Sequence, residues 1–208
     1  MDERVSIRAH YERFPATLKG AFVLRGADPD PHQVRIDAAR VVELAGGQAQ
    51  PMNVEAATLD VAPHLDLFVP FELPLLDLGP GWYQLELNVA VDGDEGVVRP
   101  GERFVVAWPR GSMRRGTAPV GREIVTGSVS VTIEQVECAT DSVRVTYQAP
   151  ARAGLALSID DVTLPQIDDD YDAGAGRGRV RTYPAPKSHS SMAITARGAE
   201  RALEITLP

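Results

Sequence analysis

The stretch Leu78-Gly79-Pro80-Gly81-Trp82-Tyr83-Gln84-Leu85-Glu86-Leu87-Asn88-Val89-Ala90-Val91-Asp92-Gly93 reads as a turn, an amphipathic strand and a second turn. Gly79, Pro80 and Gly81 supply the backbone conformations of a tight turn. Tyr83, Leu85, Leu87, Val89 and Val91 then alternate with Trp82, Gln84, Glu86, Asn88 and Ala90, the period of two expected of a strand with one buried face. Asp92-Gly93 is a hairpin signal. In this register Leu87→Asp should unfold its domain, while Trp82→Ala, on the opposite and exposed face, should leave it folded.

The same pattern extends in both directions. Upstream, residues 5–11, 17–25, 52–59 and 64–73 offer further strands, with Pro70 and Pro74 marking the last of these as an edge or bulged strand. Residues 33–44 admit two readings: Val34, Ile36 and Ala38 alternate as a strand, whereas residues 38–44 would also make two helical turns. A strand is the expectation. Downstream, residues 96–108 complete a set of about seven strands with turn signals every ~8–12 residues, the spacing of a sandwich rather than of alternating strands and helices.

Residues 110–122 have no apolar periodicity and carry four arginines and no acid, so a linker is expected there. Alternation resumes at Val129, Val131 and Ile133, at Val143, Val145 and Tyr147, and at Leu155, Leu157 and Ile159, and the chain closes on Leu203, Ile205 and Leu207. Net charge is −8 over residues 1–109, +4 over 110–122 and −4 over 123–208.

The Pro-Gly turn leading into a tyrosine-bearing strand resembles that of fibronectin type III and bacterial immunoglobulin-like domains, with Tyr83 two residues before the core position Leu85. The resemblance implies that the Tyr83 hydroxyl bonds to backbone at a corner rather than acting in chemistry. The expected fold is therefore all-β, as two consecutive immunoglobulin-like β-sandwich domains: 1–109, a linker at 110–122, and 123–208. Fold resemblance of this kind does not carry function.

Composition narrows the function classes. The overall charge of −8 opposes non-specific attraction to nucleic acid or anionic lipid. No window approaches the ~18 apolar residues that would span a bilayer. Met1 is followed by Asp2, Glu3 and Arg4 rather than by a basic segment and an apolar run, and the one cysteine, Cys138, allows no internal disulfide. The expected setting is cytoplasmic.

Local motifs give few candidates. Asp168, Asp170 and Asp172 have the alternate spacing of Ca²⁺-binding loops, making Ca²⁺ the candidate ion. Ala173 and Arg179 stand where an EF-hand needs glycine and glutamate, and the competing reading is a solvated loop whose acids face Arg177, Arg179 and Arg181 across a hairpin. Arg114 and Arg115 in the linker are candidate contacts for an acidic partner, against a plain solvated tether. Trp82 is a candidate contact or sugar platform, against packing at the sandwich end. The histidines at 10, 32, 64 and 189 form no ligand pattern and read as loop or surface residues. Cys138 reads as a small buried residue. The chain is thus expected to be a non-catalytic interaction or structural module whose partner is another protein, or a second copy of itself, joined by strand addition at an exposed edge. A Ca²⁺- or carbohydrate-binding module is the alternative, and an enzyme comes third.

Overall fold

Turn residues and alternation divide the first half of the chain into nine strands: β1 (Val5–Arg13), β2 (Thr17–Gly26), β3 (His32–Glu43), β4 (Ala49–Pro51), β5 (Ala57–Val61), β6 (Asp66–Pro74), β7 (Gly81–Val91), β8 (Asp94–Val98) and β9 (Phe104–Val106). Nine more follow: β10 (Gly116–Thr126), β11 (Val129–Cys138), β12 (Val143–Gln148), β13 (Ala156–Ile159), β14 (Val162–Thr163), β15 (Gln166–Asp172), β16 (Arg177–Thr182), β17 (Ser191–Thr195) and β18 (Leu203–Thr206). The computed structural model describes residues 4–127 and 129–208 and contains no helix among them. The protein is all-β, and it divides into two compact units, Met1–Val106 and Ala107–Pro208.

In the first unit β1, β2 and β6 form one antiparallel sheet in the order β1-β2-β6. The other sheet runs β4-β3-β7-β8, with β5 also on β3 and β9 also on β7. Both sheets feed one core: Leu18, Phe22, Leu24 and Phe71 from the first meet Val34, Ile36, Leu85 and Leu87 from the second, an arrangement compatible with a β-sandwich. Residues 33–44 resolve as strand because Val34, Ile36 and Val41 all point into this core. The bulge between Ile36 and Ala38 shifts the register, so that Ala39 and Val41 rather than Ala38 face inward. The final strand expected over 96–108 is instead two short ones, β8 and β9, both hydrogen-bonded to β7.

The Tyr83 hydroxyl donates to the Gly79 carbonyl at 2.9 Å, closing the turn that precedes β7. Tyr83→Phe removes this one bond while keeping the ring's stacking on Phe104, centroids 5.7 Å apart. The expected cost is about 1 kcal/mol, read as a small fall in the urea midpoint with an unchanged slope. A midpoint equal to that of the wild type would show that the corner contributes nothing.

One expectation for β7 is overturned. The strand is buried along both faces, not one, and Trp82 is only 6% exposed. Its outward row also contains Glu86, at 3% exposed. The charge is sustained there by Arg40 from β3, whose Nε lies 2.6 Å from the carboxylate, and by Arg99 beyond β8, at 2.9 Å. Burial works to raise the Glu86 carboxyl, but the hydrogen bonds and charges of the two arginines outweigh it and hold the group below the ordinary glutamate range. Long arginine stems laid over a sheet can cover it while their charged ends bond inward.

The second unit is built differently. Its sheets run β10-β11-β12-β16-β15 and β14-β13-β17-β18, so its second and third strands are neighbours in one sheet, where β2 and β3 of the first unit lie in different sheets. Its core gathers Ile133, Val145, Tyr147 and Val180 from one sheet with Leu157, Met192 and Ile194 from the other. The stretch expected to be a linker is largely structured: residues 116–122 belong to β10, paired along β11. Apolar alternation failed to announce it because only Ile124 of that strand is buried.

Candidate functional site

In the first unit β1 ends one sheet and β8 ends the other. Between them lies a cleft of about 370 Å³, lined by Val5 and Ile7 of β1, Val89 and Val91 of β7, and the whole of β8. Its origin is legible in the pairing of β7 with β8. Leu87, Val89 and Val91 are buried in the core, and directly opposed residues of an antiparallel pair point to the same face. The inward positions of β8 are therefore Val98, Gly96 and Asp94. Val98 packs against the core, but Gly96 has no side chain to offer, and a Cβ placed on it would meet nothing within 4 Å. Here a sandwich that would ordinarily be filled by a third apolar residue is left open beside two strand edges.

One end of this cleft is held by charge. Arg4, just before β1, reaches the carboxylates of Asp92 and Asp94 at the turn between β7 and β8. Asp92 adopts φ +50°, the left-handed conformation a tight turn requires. Its side chain accepts from the Gln33 backbone N–H at 2.9 Å and meets Nδ1 of His32 at 2.7 Å. The other ring nitrogen, Nε2, lies 2.6 Å from Asp28. His32, expected at the surface, is 7% exposed. Hydrogen bonding to Asp92, then to Asp28, raises the histidine above its usual value. The same contacts lower both carboxyls: for Asp92 the Gln33 N–H is the first cause, for Asp28 the bond to His32.

No known protein family and no curated protein matches this chain.

The residues singled out from sequence lie elsewhere. Trp82 is not an exposed platform, being buried on β7. Arg114 is half-buried and tied into the second unit: its backbone N–H donates to Ala185, and its guanidinium donates to the carbonyls of Pro208 at 3.1 Å and Lys187 at 3.0 Å. Arg115 beside it is exposed. Asp168, Asp170 and Asp172 lie on β15, a strand rather than a loop, paired in register with Arg181, Arg179 and Arg177 of β16. Asp168 accepts from Arg181 at 2.8 Å and Asp170 from Arg179 at 2.9 Å, while Asp172 accepts from the backbone of Gly174 and Ala175. Same-face neighbours on a strand stand about 6.6 Å apart, whereas Ca²⁺ needs its oxygens at roughly 2.3–2.6 Å. The three carboxylates share a face without converging, and among the described residues no group of three or more histidine, cysteine or acidic side chains is arranged to hold a metal. Cross-strand Arg–Asp pairs are what let so acidic a segment be a strand at all.

A broader hollow of about 720 Å³ lies over this ladder, lined among others by Thr146, Arg152, Asp170, Tyr171 and Arg179. Within it Asp170 pairs with Arg179, and Arg177 reaches Glu134 of β11. Burial pushes the Cys138 thiol up to about 11, which leaves it protonated and unreactive at neutral pH. Nothing local in sequence marks the β1–β8 cleft; its one trace is the lone Gly96 between acidic residues and Val97-Val98.

Proposed function

We propose that the chain is a non-catalytic protein-interaction module, and that its first unit takes up an extended segment of another protein along the free edge of β8. The observation that carries this is the cleft itself: a strand edge unpaired among the described residues, whose inward glycine leaves apolar room for a side chain of an incoming strand. In strand addition the main-chain hydrogen bonds provide affinity and pockets for alternate side chains provide specificity. Both elements meet at β8. Charge favours a basic partner segment, since residues 1–106 carry 9 basic and 17 acidic groups while 107–208 carry 12 of each.

We further read the first unit as immunoglobulin-like. Its first and second strands share a sheet with β6, its third strand lies with β7 and β8, and a tyrosine hydroxyl bonds back to the turn before β7, all as in that architecture. The strand order of the second unit departs from it, so the reading is confined to the first.

Gly96→Val tests the proposal, because Gly96 does not need a left-handed backbone and has space for the added side chain. A library of short random peptides displayed on phage is selected on the intact protein. The expected winners alternate apolar and polar residues, carry basic flanks, and lose about tenfold or more in affinity for Gly96→Val. Winners that bind the variant as tightly as the wild type, or a selection that enriches nothing, would overturn the reading.

A further inference from the structure

We propose that Asp28, His32 and Asp92, together with Arg4 and Asp94, form a proton-operated latch that pins the β7–β8 turn. This stands apart from the strand-addition reading and is tested on the free protein. Three separate parts of the chain meet at one imidazole. Asp28 comes from the segment joining β2 to β3, His32 opens β3, and Asp92 lies in the turn, 60 residues further on. Both ring nitrogens face carboxylate oxygens, at 2.6 and 2.7 Å. A neutral imidazole has only one N–H to donate, so one of these contacts would then set a nitrogen lone pair against a carboxylate. The arrangement is satisfied on both sides only by the imidazolium.

The acidic groups around the ring favour that form. Asp28 and Asp30 lie in the approach to β3, Asp92 and Asp94 at the turn, and β5 places Val61 opposite His32 and Asp60 opposite Gln33. Among the described residues the cation brought in is Arg4, which bonds to Asp92 and Asp94. Asp92 is the hinge of the group. Its two oxygens hold the Gln33 backbone and the ring, its own N–H donates to the Gln33 carbonyl at 2.9 Å, and Arg4 ties it to the start of β1. Loss of the proton from His32 therefore bears directly on how firmly the turn, and the β8 edge that follows it, is held.

The sign follows from the shifts. His32 is raised in the folded chain, so its contribution is complete below the unfolded value of about 6.5 and is lost as pH rises through the folded value. Asp28 and Asp92 are lowered, so theirs is present above about 3.9 and is lost as pH falls through their folded values. The latch is closed in mildly acidic solution and opens as pH rises through the raised folded value of His32.

Nuclear magnetic resonance titration of the intact protein tests this. The His32 ring is expected to titrate above about 6.5, and the backbone amides of Gln33 and Asp92 are expected to shift with the same midpoint. Thermal unfolding should show the wild type losing stability above that pH, with His32→Gln flat across the same range. Should His32→Gln fail to fold, Asp28→Asn serves instead, because Asp28 sits in a partly exposed loop; it should move the ring's midpoint downward while the chain stays folded. A His32 midpoint at or below the unperturbed value, amides that do not follow the ring, or identical pH profiles for wild type and variant would overturn the latch.

Discussion

Leu87→Asp is expected to abolish the unfolding transition of the first unit, and Trp82→Ala to weaken the same strand severely rather than leave it intact. Leu87 is fully buried and lies in the core cluster shared by both sheets. Its replacement removes a side chain worth roughly 2–5 kcal/mol and puts a carboxylate into a cluster of buried apolar side chains. Against a domain stability of about 5–15 kcal/mol, that loss is decisive. Trp82 lies on the other face of β7, yet it is as hidden as Tyr83, both being 6% exposed. Truncating a buried tryptophan costs about 3–5 kcal/mol. Circular dichroism through a urea titration separates the cases: Leu87→Asp should lack one transition from the outset, and Trp82→Ala should show it at a much lower midpoint. A Trp82→Ala midpoint matching the wild type would mean that the outer face of β7 is open.

In the second unit the largest effect is expected from the smallest change, Gly178→Ala. Gly178 on β16 stands opposite Tyr147 on β12, and the tyrosine ring lies across it. A methyl group there would come within 2.1 Å of Tyr147 Cζ and 2.3 Å of its oxygen. The ring has nowhere to go: it is fully buried, stacks on Tyr171 with 15° between planes, and its hydroxyl accepts from the Ala153 backbone N–H at 3.2 Å. The cost should reach or exceed the upper end of the ~1–3 kcal/mol found for overpacked cores. Gly96→Ala is the matched control, since its methyl group meets nothing within 4 Å, and relief of glycine's backbone entropy should stabilise it by a few tenths to about 1 kcal/mol. Urea midpoints that moved equally for the two variants would refute the crowding at Tyr147.

These contrasts mark what the amino-acid pattern discloses. The inward row of β7, the strand character of residues 33–44 and the tyrosine corner were all legible, because each follows from local alternation or turn chemistry. Burial of the outward row was not. Glu86 looks solvent-facing until Arg40 and Arg99, distant in sequence, arrive to neutralise it. The aspartates of β15 look like a loop for a related reason: aspartate disfavours strands on its own, and its partners on β16 reverse that only once the register is known. His32 had no local signal, since Asp28 is an unremarkable loop acid and Asp92 is 60 residues away. The cleft depends on topology alone. A glycine among valines is a weak feature of a strand, and it opens a hollow only because β8 ends a sheet opposite β1.

The buried thiol has a practical bearing on all of this. Cys138 is the chain's one cysteine, 4% exposed, and held as the unreactive thiol at neutral pH. The natural sequence is thus already a silent background for thiol-directed labelling. Val97 on β8 is 58% exposed, so a spin label or fluorophore attached through Val97→Cys would report from the strand edge without any need to remove a native cysteine from the core.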